Sequence, residues 1–302
     1  MSQNPTLVIY HGNCPDGFAA AYAAWIALGR CGEAGDLLFH GATHGVAINK
    51  LPLEAGQQIY LLDFSYSRGE MVEICRQAGQ VTVIDHHISA AKGLSGLDSE
   101  IANLTLHFAM EHSGAVLAWH HFLPDLPLPE LYLDIEDRDI WLNRRPHSRD
   151  ITTAITAYPY DFKRWQQWLS EGSVAYLRLQ QEGESINRYR RQLIDRYKKS
   201  ATLGTIAGYR VPVVNAPAEL TSDLLGELAV GHPFAAGYMQ KEDLRSWSLR
   251  SDGQRGIDVS QVAASYGGGG HRNAAGFTTP MAAVTPLPAP DSAAGESQVI
   301  SR

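Results

Sequence analysis

Three short apolar runs, each ending on a side chain able to ligate a cation, constrain this chain more than any other feature. Thr6-Leu7-Val8-Ile9-Tyr10 ends on His11, Ile59-Tyr60-Leu61-Leu62 ends on Asp63, and Val81-Thr82-Val83-Ile84 ends on Asp85-His86-His87. Unbroken apolar runs of this length suit strands buried on both faces of a parallel sheet, and open α/β sheets bind ligands beyond the carboxyl ends of their strands. Three such strands would deliver His11, Asp63 and His86 to one crevice. Residues 18–28 are Ala-rich with aromatics at Phe18, Tyr22 and Trp25, and Met71, Ile74, Cys75 and Ala78 recur at helical spacing. Alternation of strand and helix implies right-handed crossovers. The competing reading of Asp85-His86-His87 is a capped loop whose polar groups are satisfied locally.

Two further segments carry chemistry. Residues 133–141 place Asp134, Glu136, Asp137 and Asp139 within six positions, after a helical stretch over 114–122. On a helix Asp134, Asp137 and Arg138 share a face, so a salt-bridged surface competes with a ligand role. The run Gly267-Gly268-Gly269-Gly270 is followed by His271-Arg272-Asn273. Backbone without Cβ atoms lets N–H groups approach an anion closely. A flexible linker is the alternative, but the run is bracketed by a predicted helix over 257–266 and a predicted strand over 274–278. It is not a nucleotide P-loop, because the Lys and Ser/Thr that complete one are missing.

In this order the segments resemble the motifs of the DHH superfamily of phosphoesterases, the glycine run resembling that of the DHH-associated C-terminal domain. The resemblance extends from His11 to Gly276. It implies an α/β fold: an N-terminal parallel-sheet domain and a smaller C-terminal α/β domain joined by a helical connector. It implies metal ligands at His11, Cys14, Asp16, Asp63, His86 and Asp137, with Asp139 as the alternative to Asp137, and with Asp63 bridging two ions. Asp85 and His87 would be catalytic, Asp85 orienting the imidazoles and His87 facing the substrate phosphate. Gly268, Gly269, Gly270, His271, Arg272 and Asn273 would bind substrate. Where the family carries the first of two Asp, this chain has Cys14. Thiolate ligation would favour softer ions than Mg²⁺, and Asn13 or water could fill the position instead. Mixed carboxylate and imidazole ligands suit Mn²⁺. Two ions would activate a bridging hydroxide for attack at phosphorus, with His87 and Arg272 neutralising charge on the phosphoryl oxygens.

At 302 residues the chain is long for one domain, and its 44% hydrophobic content supplies core for two. The expected division is 1–145 metal-binding, 146–204 helical connector, 205–280 substrate-binding and 281–302 disordered tail. A net charge of −7 argues against nonspecific duplex binding, which needs a broad basic face. It leaves room for a short single-stranded oligonucleotide or nucleotide. The connector carries Arg188, Arg190, Arg191, Arg196, Lys198 and Lys199, for which a solvated face is favoured over a substrate role. Tyr209-Arg210-Val211-Pro212-Val213-Val214 reads as a strand, and its Pro suggests a sheet edge. Cys14, Cys31 and Cys75 lack paired spacing and suit a reducing cytosol. With no membrane-length apolar run, a cytoplasmic location is expected, and a homodimer is compatible with the sequence. His107, His112, His120 and His121 are expected in or near a helix without carboxylate partners, and His40 and His44 in a loop. The expected activity is metal-dependent phosphodiester hydrolysis in short oligonucleotides or cyclic nucleotides. Hydrolysis of a small phosphate such as pyrophosphate, or nucleotide binding without catalysis, are the alternatives.

Overall fold

The computed structural model describes residues 5–29, 37–43, 45–253 and 255–281. They group into two units that divide between Asn187 and Arg188. Cys31, His44 and the tail beyond Met281 lie outside the described residues.

The first unit runs β1 (Thr6–His11), α1 (Pro15–Gly29), β2 (Leu37–Ala42), β3 (Gln58–Leu62), α2 (Arg68–Gln77), β4 (Gln80–Asp85), α3 (Ile88–Leu94), α4 (Leu97–Glu100) and β5 (Leu104–Phe108). It continues through α5 (Gly114–Phe122), α6 (Glu130–Asp139), α7 (Ser148–Thr156), α8 (Phe162–Glu171) and α9 (Ser173–Lys198), the last helix entering the second unit. The five strands are all parallel, in the order β2-β1-β3-β4-β5. Both faces are covered, which is why the strands read as unbroken apolar runs. Val8, Leu62 and Ile84 face a core built with Phe18, Tyr22, Val116 and Trp119. Leu7, Ile9, Ile59, Leu61, Val81 and Val83 face the opposite one, with Met71, Ile74 and Leu97. Between β1 and β3 the chain reverses its direction of travel across the sheet, and in open α/β sheets ligands bind in the crevice at such a point.

The edge strands β2 and β5 lack the sequence signature of the central three. Each is paired on one side only and carries polar or small residues, His40 and Gly41 in β2, Thr105 and His107 in β5. His40 is therefore a strand residue in register with Ile9, where a loop was expected. Residues 146–187, read from sequence as connector, group with the first unit. Ile151, Ala154, Ile155, Trp165, Trp168, Ala175 and Leu179 join the Phe18–Tyr22 core.

The second unit contains β6 (Thr202–Ile206), β7 (Tyr209–Asn215), α10 (Ala218–Leu228), β8 (Ala235–Lys241), β9 (Leu244–Arg250), α11 (Val259–Ala264), β10 (Gly269–His271) and β11 (Ala274–Pro280). Its sheet is mixed, in the order β10-β11-β9-β8-β7-β6, with β7 and β8 parallel and the other pairs antiparallel. β7 is thus internal, contrary to the edge position that Pro212 suggested. Pairing to β8 begins only at Val213, so on that side the missing N–H of Pro212 removes no ladder bond. Three cations of the basic stretch at the end of α9 pair with α10: Arg190 with Asp223 at 3.4 Å, Lys198 with Glu227 at 2.8 Å, and Arg191 with Glu227. Among the described residues no helix is long and apolar enough to cross a membrane.

Candidate metal centre

The carboxyl edge of the first sheet gathers the ligand-type residues. His11 ends β1, Asp63 follows β3, and Asp85 ends β4 with His86 and His87 directly after it. Asp16 lies in the first turn of α1 and Asp139 is the last residue of α6. Asp63 adopts a left-handed backbone, φ 54°, which is uncommon for a residue with a Cβ and turns the chain sharply at the strand end.

The distances are short. His86 Nε2 is 3.1 Å from Asp63 Oδ1, 3.3 Å from Asp139 Oδ2 and 3.9 Å from Asp16 Oδ2. His11 Nδ1 is 3.4 Å from Asp63 Oδ2. Three sets of ligand atoms each lie within 4.8 Å of one another: His11, Cys14 and Asp63; Asp16, His86 and Asp139; and Asp63, Asp85, His86 and His87. Asp63 is common to the first and third sets, His86 to the second and third.

The polar atoms divide into those held by the protein and those left over. Asp85 Oδ1 accepts the backbone N–H groups of His86 (2.7 Å) and His87 (3.1 Å) and lies 2.7 Å from His87 Nδ1. Its Oδ2 accepts the Ser65 hydroxyl at 2.6 Å. Asp16 Oδ1 accepts the Ala115 N–H at the start of α5, where the helix dipole favours negative charge. By contrast Asp16 Oδ2, Asp63 Oδ1 and His86 Nε2 are buried and make no hydrogen bond. Such groups are rare in a folded interior, and here all three converge.

The electrostatics show the same imbalance. Burial, then repulsion from Asp63 and Asp139, pushes the Asp16 carboxyl well above the usual range. Burial and Asp63 raise Asp139 to about 6. Burial opposes the His86 charge, but the Asp63 carboxylate 3.1 Å away and the charges of Asp139 and Asp16 outweigh it and lift the imidazole to about 9. Asp63 is pulled below its ordinary value despite burial, because the imidazoles of His11, His86 and His87 lie within 4 Å of its carboxylate. Crowded buried carboxylates beside imidazoles, with orphaned oxygen and nitrogen atoms, match the donor set of a divalent cation of the Mn²⁺ class. The residues present fit such an ion.

Two glycines make this approach possible. A Cβ on Gly114 would overlap Asp63, lying 2.9 Å from both its Cγ and Oδ1, so the start of α5 can lie against the centre only as glycine. A Cβ on Gly17 would come 2.7 Å from the Cβ of His11.

Asp137 is not brought to this cluster. Its Oδ1 accepts the N–H groups of Arg144 (2.7 Å) and Arg145 (3.2 Å), and its Oδ2 accepts the Ser148 hydroxyl (2.6 Å). It closes the loop after α6, while Asp139 points to His86. Two residues along a helix are about 200° apart around its axis, so Asp137 and Asp139 cannot serve one site together. Asp134 is likewise occupied, by Arg145 and Tyr176 at 2.6 Å each. His112 was expected to lack a carboxylate and has one, Glu136 Oε2 at 3.0 Å.

In the second unit the glycine run forms β10 and its approach. Gly268 and Gly270 are demanded by close packing: a Cβ at Gly268 would lie 2.6 Å from the Cβ of Phe277, and one at Gly270, whose φ is 142°, 2.6 Å from the Ala274 carbonyl oxygen. Gly269 has open space around it. Arg272 and Asn273 form the two-residue turn to β11, with His271 and Arg272 exposed. Asn273 Oδ1 accepts the Ser251 hydroxyl at 3.1 Å. Arg250 was missed as a candidate from sequence. It lies across from Ala274, its Nε is buried without a hydrogen bond, and no carboxylate pairs with it among the described residues. A lone Arg at the end of a strand signals nothing until the register with β11 is known.

No protein-family model matches the chain. Uncharacterized protein R106 of Acanthamoeba polyphaga mimivirus is 30% identical over 288 residues, covering 90% of this chain, which spans 66% of that protein's length. Among solved structures, the DHH domain of a member of a family of ribosomal proteins matches with a TM-score of 0.58 at 11% identity, over 90% of this chain and 82% of that one. The exonuclease RecJ bound to manganese matches with a TM-score of 0.50 at 17% identity, over 90% and 85% of the two chains. At these identities the likeness is one of fold. This chain therefore shares its fold with the DHH-domain structure and with RecJ.

Proposed function

We propose that this protein is a metal-dependent phosphoesterase that hydrolyses phosphodiester bonds in short oligonucleotides or nucleotides. The observation that carries the reading is the convergence of buried, unbonded Asp16 Oδ2, Asp63 Oδ1 and His86 Nε2 at the carboxyl edge of the parallel sheet. Asp16, Asp63, His86 and Asp139 would hold one Mn²⁺, and His11, Cys14 and Asp63 a second ion. When bound, the ions supply Lewis-acid activation of water and neutralise charge on the attacked phosphoryl group.

The chain's own groups do the rest. Burial opposes protonation of His87, but its contact with Asp85 prevails and raises its pKa. His87 in that state donates to a phosphoryl oxygen as negative charge accumulates. Asp85 keeps the ring in one orientation through Nδ1 and fixes the backbone beneath it. A cavity of about 370 Å³ beside the Asp63 loop, lined by Val46, Phe64, Ser65, Tyr66 and Glu70, gives room for a nucleotide fragment. In the second unit Arg250, Gly269, His271, Arg272 and Asn273 supply cationic and backbone donors for a substrate phosphate. RecJ, an exonuclease crystallised with manganese, shares the fold and supports the reaction class.

The test is hydrolysis by the purified chain, with Mn²⁺ and after chelation, across pyrophosphate, cyclic mononucleotides, dinucleotides and longer single strands. Manganese-dependent release of mononucleotides is expected, with dinucleotides or short strands preferred. Cleavage of pyrophosphate alone would replace this reading with a small-phosphate hydrolase. Binding without turnover under every divalent metal would replace it with a nucleotide-binding protein.

A further inference from the structure

We infer that the two halves of the centre take different metals: His11, Cys14 and Asp63 form a thiolate site for a soft ion of the Zn²⁺ or Co²⁺ class, beside a sulfur-free site for Mn²⁺. The inference rests on the metal-centre reading above and goes beyond it in assigning each half its own ion.

The donor sets differ in kind. One triad offers sulfur, imidazole nitrogen and carboxylate oxygen within 4.8 Å, the other two carboxylates and an imidazole. Thiolate selects borderline and soft ions, whereas carboxylate and imidazole without sulfur suit Mn²⁺. The thiol is held in place. Gly12 N–H bonds Ala42 O at 2.7 Å on one side of Cys14, and on the other the Cys14 carbonyl accepts the Phe18 N–H at 3.0 Å in the first turn of α1. Between them Asn13 takes a left-handed backbone, φ 59°, and Gly17 is pressed against His11. A short loop tied at both ends presents Cys14 and His11 toward the same carboxylate, only 1% exposed, whose Oδ2 lies 3.4 Å from His11 Nδ1 while its unbonded Oδ1 faces His86 in the other half. As the Sγ–metal bond forms, the Sγ–H proton leaves to solvent, so charge and atoms balance.

Cobalt(II) reports this directly, because sulfur ligation adds a near-ultraviolet charge-transfer band that oxygen and nitrogen ligands do not produce. The metal-stripped full-length chain is titrated with Co²⁺ alongside Cys14→Ser, Cys14→Asp, Cys31→Ser and Cys75→Ser. Circular dichroism checks each variant's fold, and Cys14→Asp restores an oxygen ligand if the serine variant does not fold. The band is expected in the wild type, saturating at one cobalt per chain. It should be lost in both Cys14 variants and kept in the other two. One equivalent of Zn²⁺ should abolish it in the wild type, while the same amount of Mn²⁺ leaves it intact. Cobalt bound without the band, a band that survives Cys14→Asp, or displacement by Mn²⁺ as readily as by Zn²⁺ overturns the inference and leaves the metal-centre reading standing. Failure to bind any cobalt overturns both.

Discussion

Asp137 and Asp139 stand two positions apart and do opposite work. Asp137 accepts two backbone N–H groups and a hydroxyl, which hold it below the usual carboxylate range even against its burial. Asp139 faces His86 and shares its surroundings with Asp16 and Asp63. Asp139→Asn should therefore lower Mn²⁺ affinity by more than the roughly 10–100-fold that loss of a supporting group costs, with little change in the metal-free melting temperature. Asp137→Asn should do the reverse, destabilising the fold by about 1–3 kcal/mol while leaving metal affinity nearly unchanged. Calorimetric titration and thermal melts on both variants separate the roles, and a matched loss of Mn²⁺ affinity in both would contradict them. On the proposed reading Asp85 acts through His87, whose Nδ1 lies 2.7 Å from its Oδ1. Asp85→Asn should cut turnover by about 10–100-fold with a smaller effect on KM, and a change confined to KM would remove its orienting role.

At the level of elements, the centre depends on how closely α5 approaches β3. Ala115 N–H reaches Asp16 Oδ1 at 3.0 Å only because Gly114 presents no side chain to Asp63. Replacing Gly114 by Ala at an exposed helix position would be mildly stabilising on propensity grounds, by roughly 0.5–1 kcal/mol. At this position the collision with Asp63 reverses the sign. Gly114→Ala should abolish Mn²⁺ binding and lower the melting temperature, and an unaltered binding isotherm would show that α5 can shift without cost. The second unit uses glycine similarly at Gly268 and Gly270, where strand β11 leaves no space for a Cβ. Gly269, in open space, carries no such packing demand.

For the whole protein, the centre links stability to pH and, on the proposed reading, to metal. Asp139 is raised from 3.8 to about 6 and His86 from 6.5 to about 9. Both shifts are upward, so the folded metal-free chain binds protons more tightly than the unfolded one. The stability they contribute is full below the unfolded values and lost as pH rises through the folded ones. Asp63, Asp85 and Asp137 are shifted downward, and their contribution is lost only as pH falls into the acid range below 3.8. Between pH 4 and 9 the metal-free melting temperature should therefore decline from this cluster, while Mn²⁺, replacing the protons, should stabilise increasingly. At 100 times its dissociation constant an ion binding only the folded state adds about 2.7 kcal/mol. Scanning calorimetry with Mn²⁺ and with chelator tests this, and a metal-induced shift that shrinks as pH rises would contradict the assigned protonation.

The three central strands, the helices after them and the gathering of His11, Asp63 and His86 at one edge are legible in the amino-acid sequence, because apolar periodicity and strand-end polarity are local properties of the chain. The edge strands β2 and β5 are not, since residues paired on one side need no unbroken apolar run. Nor is the choice between Asp137 and Asp139, which turns on the rotation of α6 relative to His86, or the buried helices over 146–187, whose Trp165 and Trp168 look like a charged surface until Phe18 and Tyr22 lie against them. Arg250 beside Ala274 and Gly114 against Asp63 depend on strand register and helix approach between segments distant in the chain. Residue type decided which groups could form a centre, and packing between distant segments decided which of them meet.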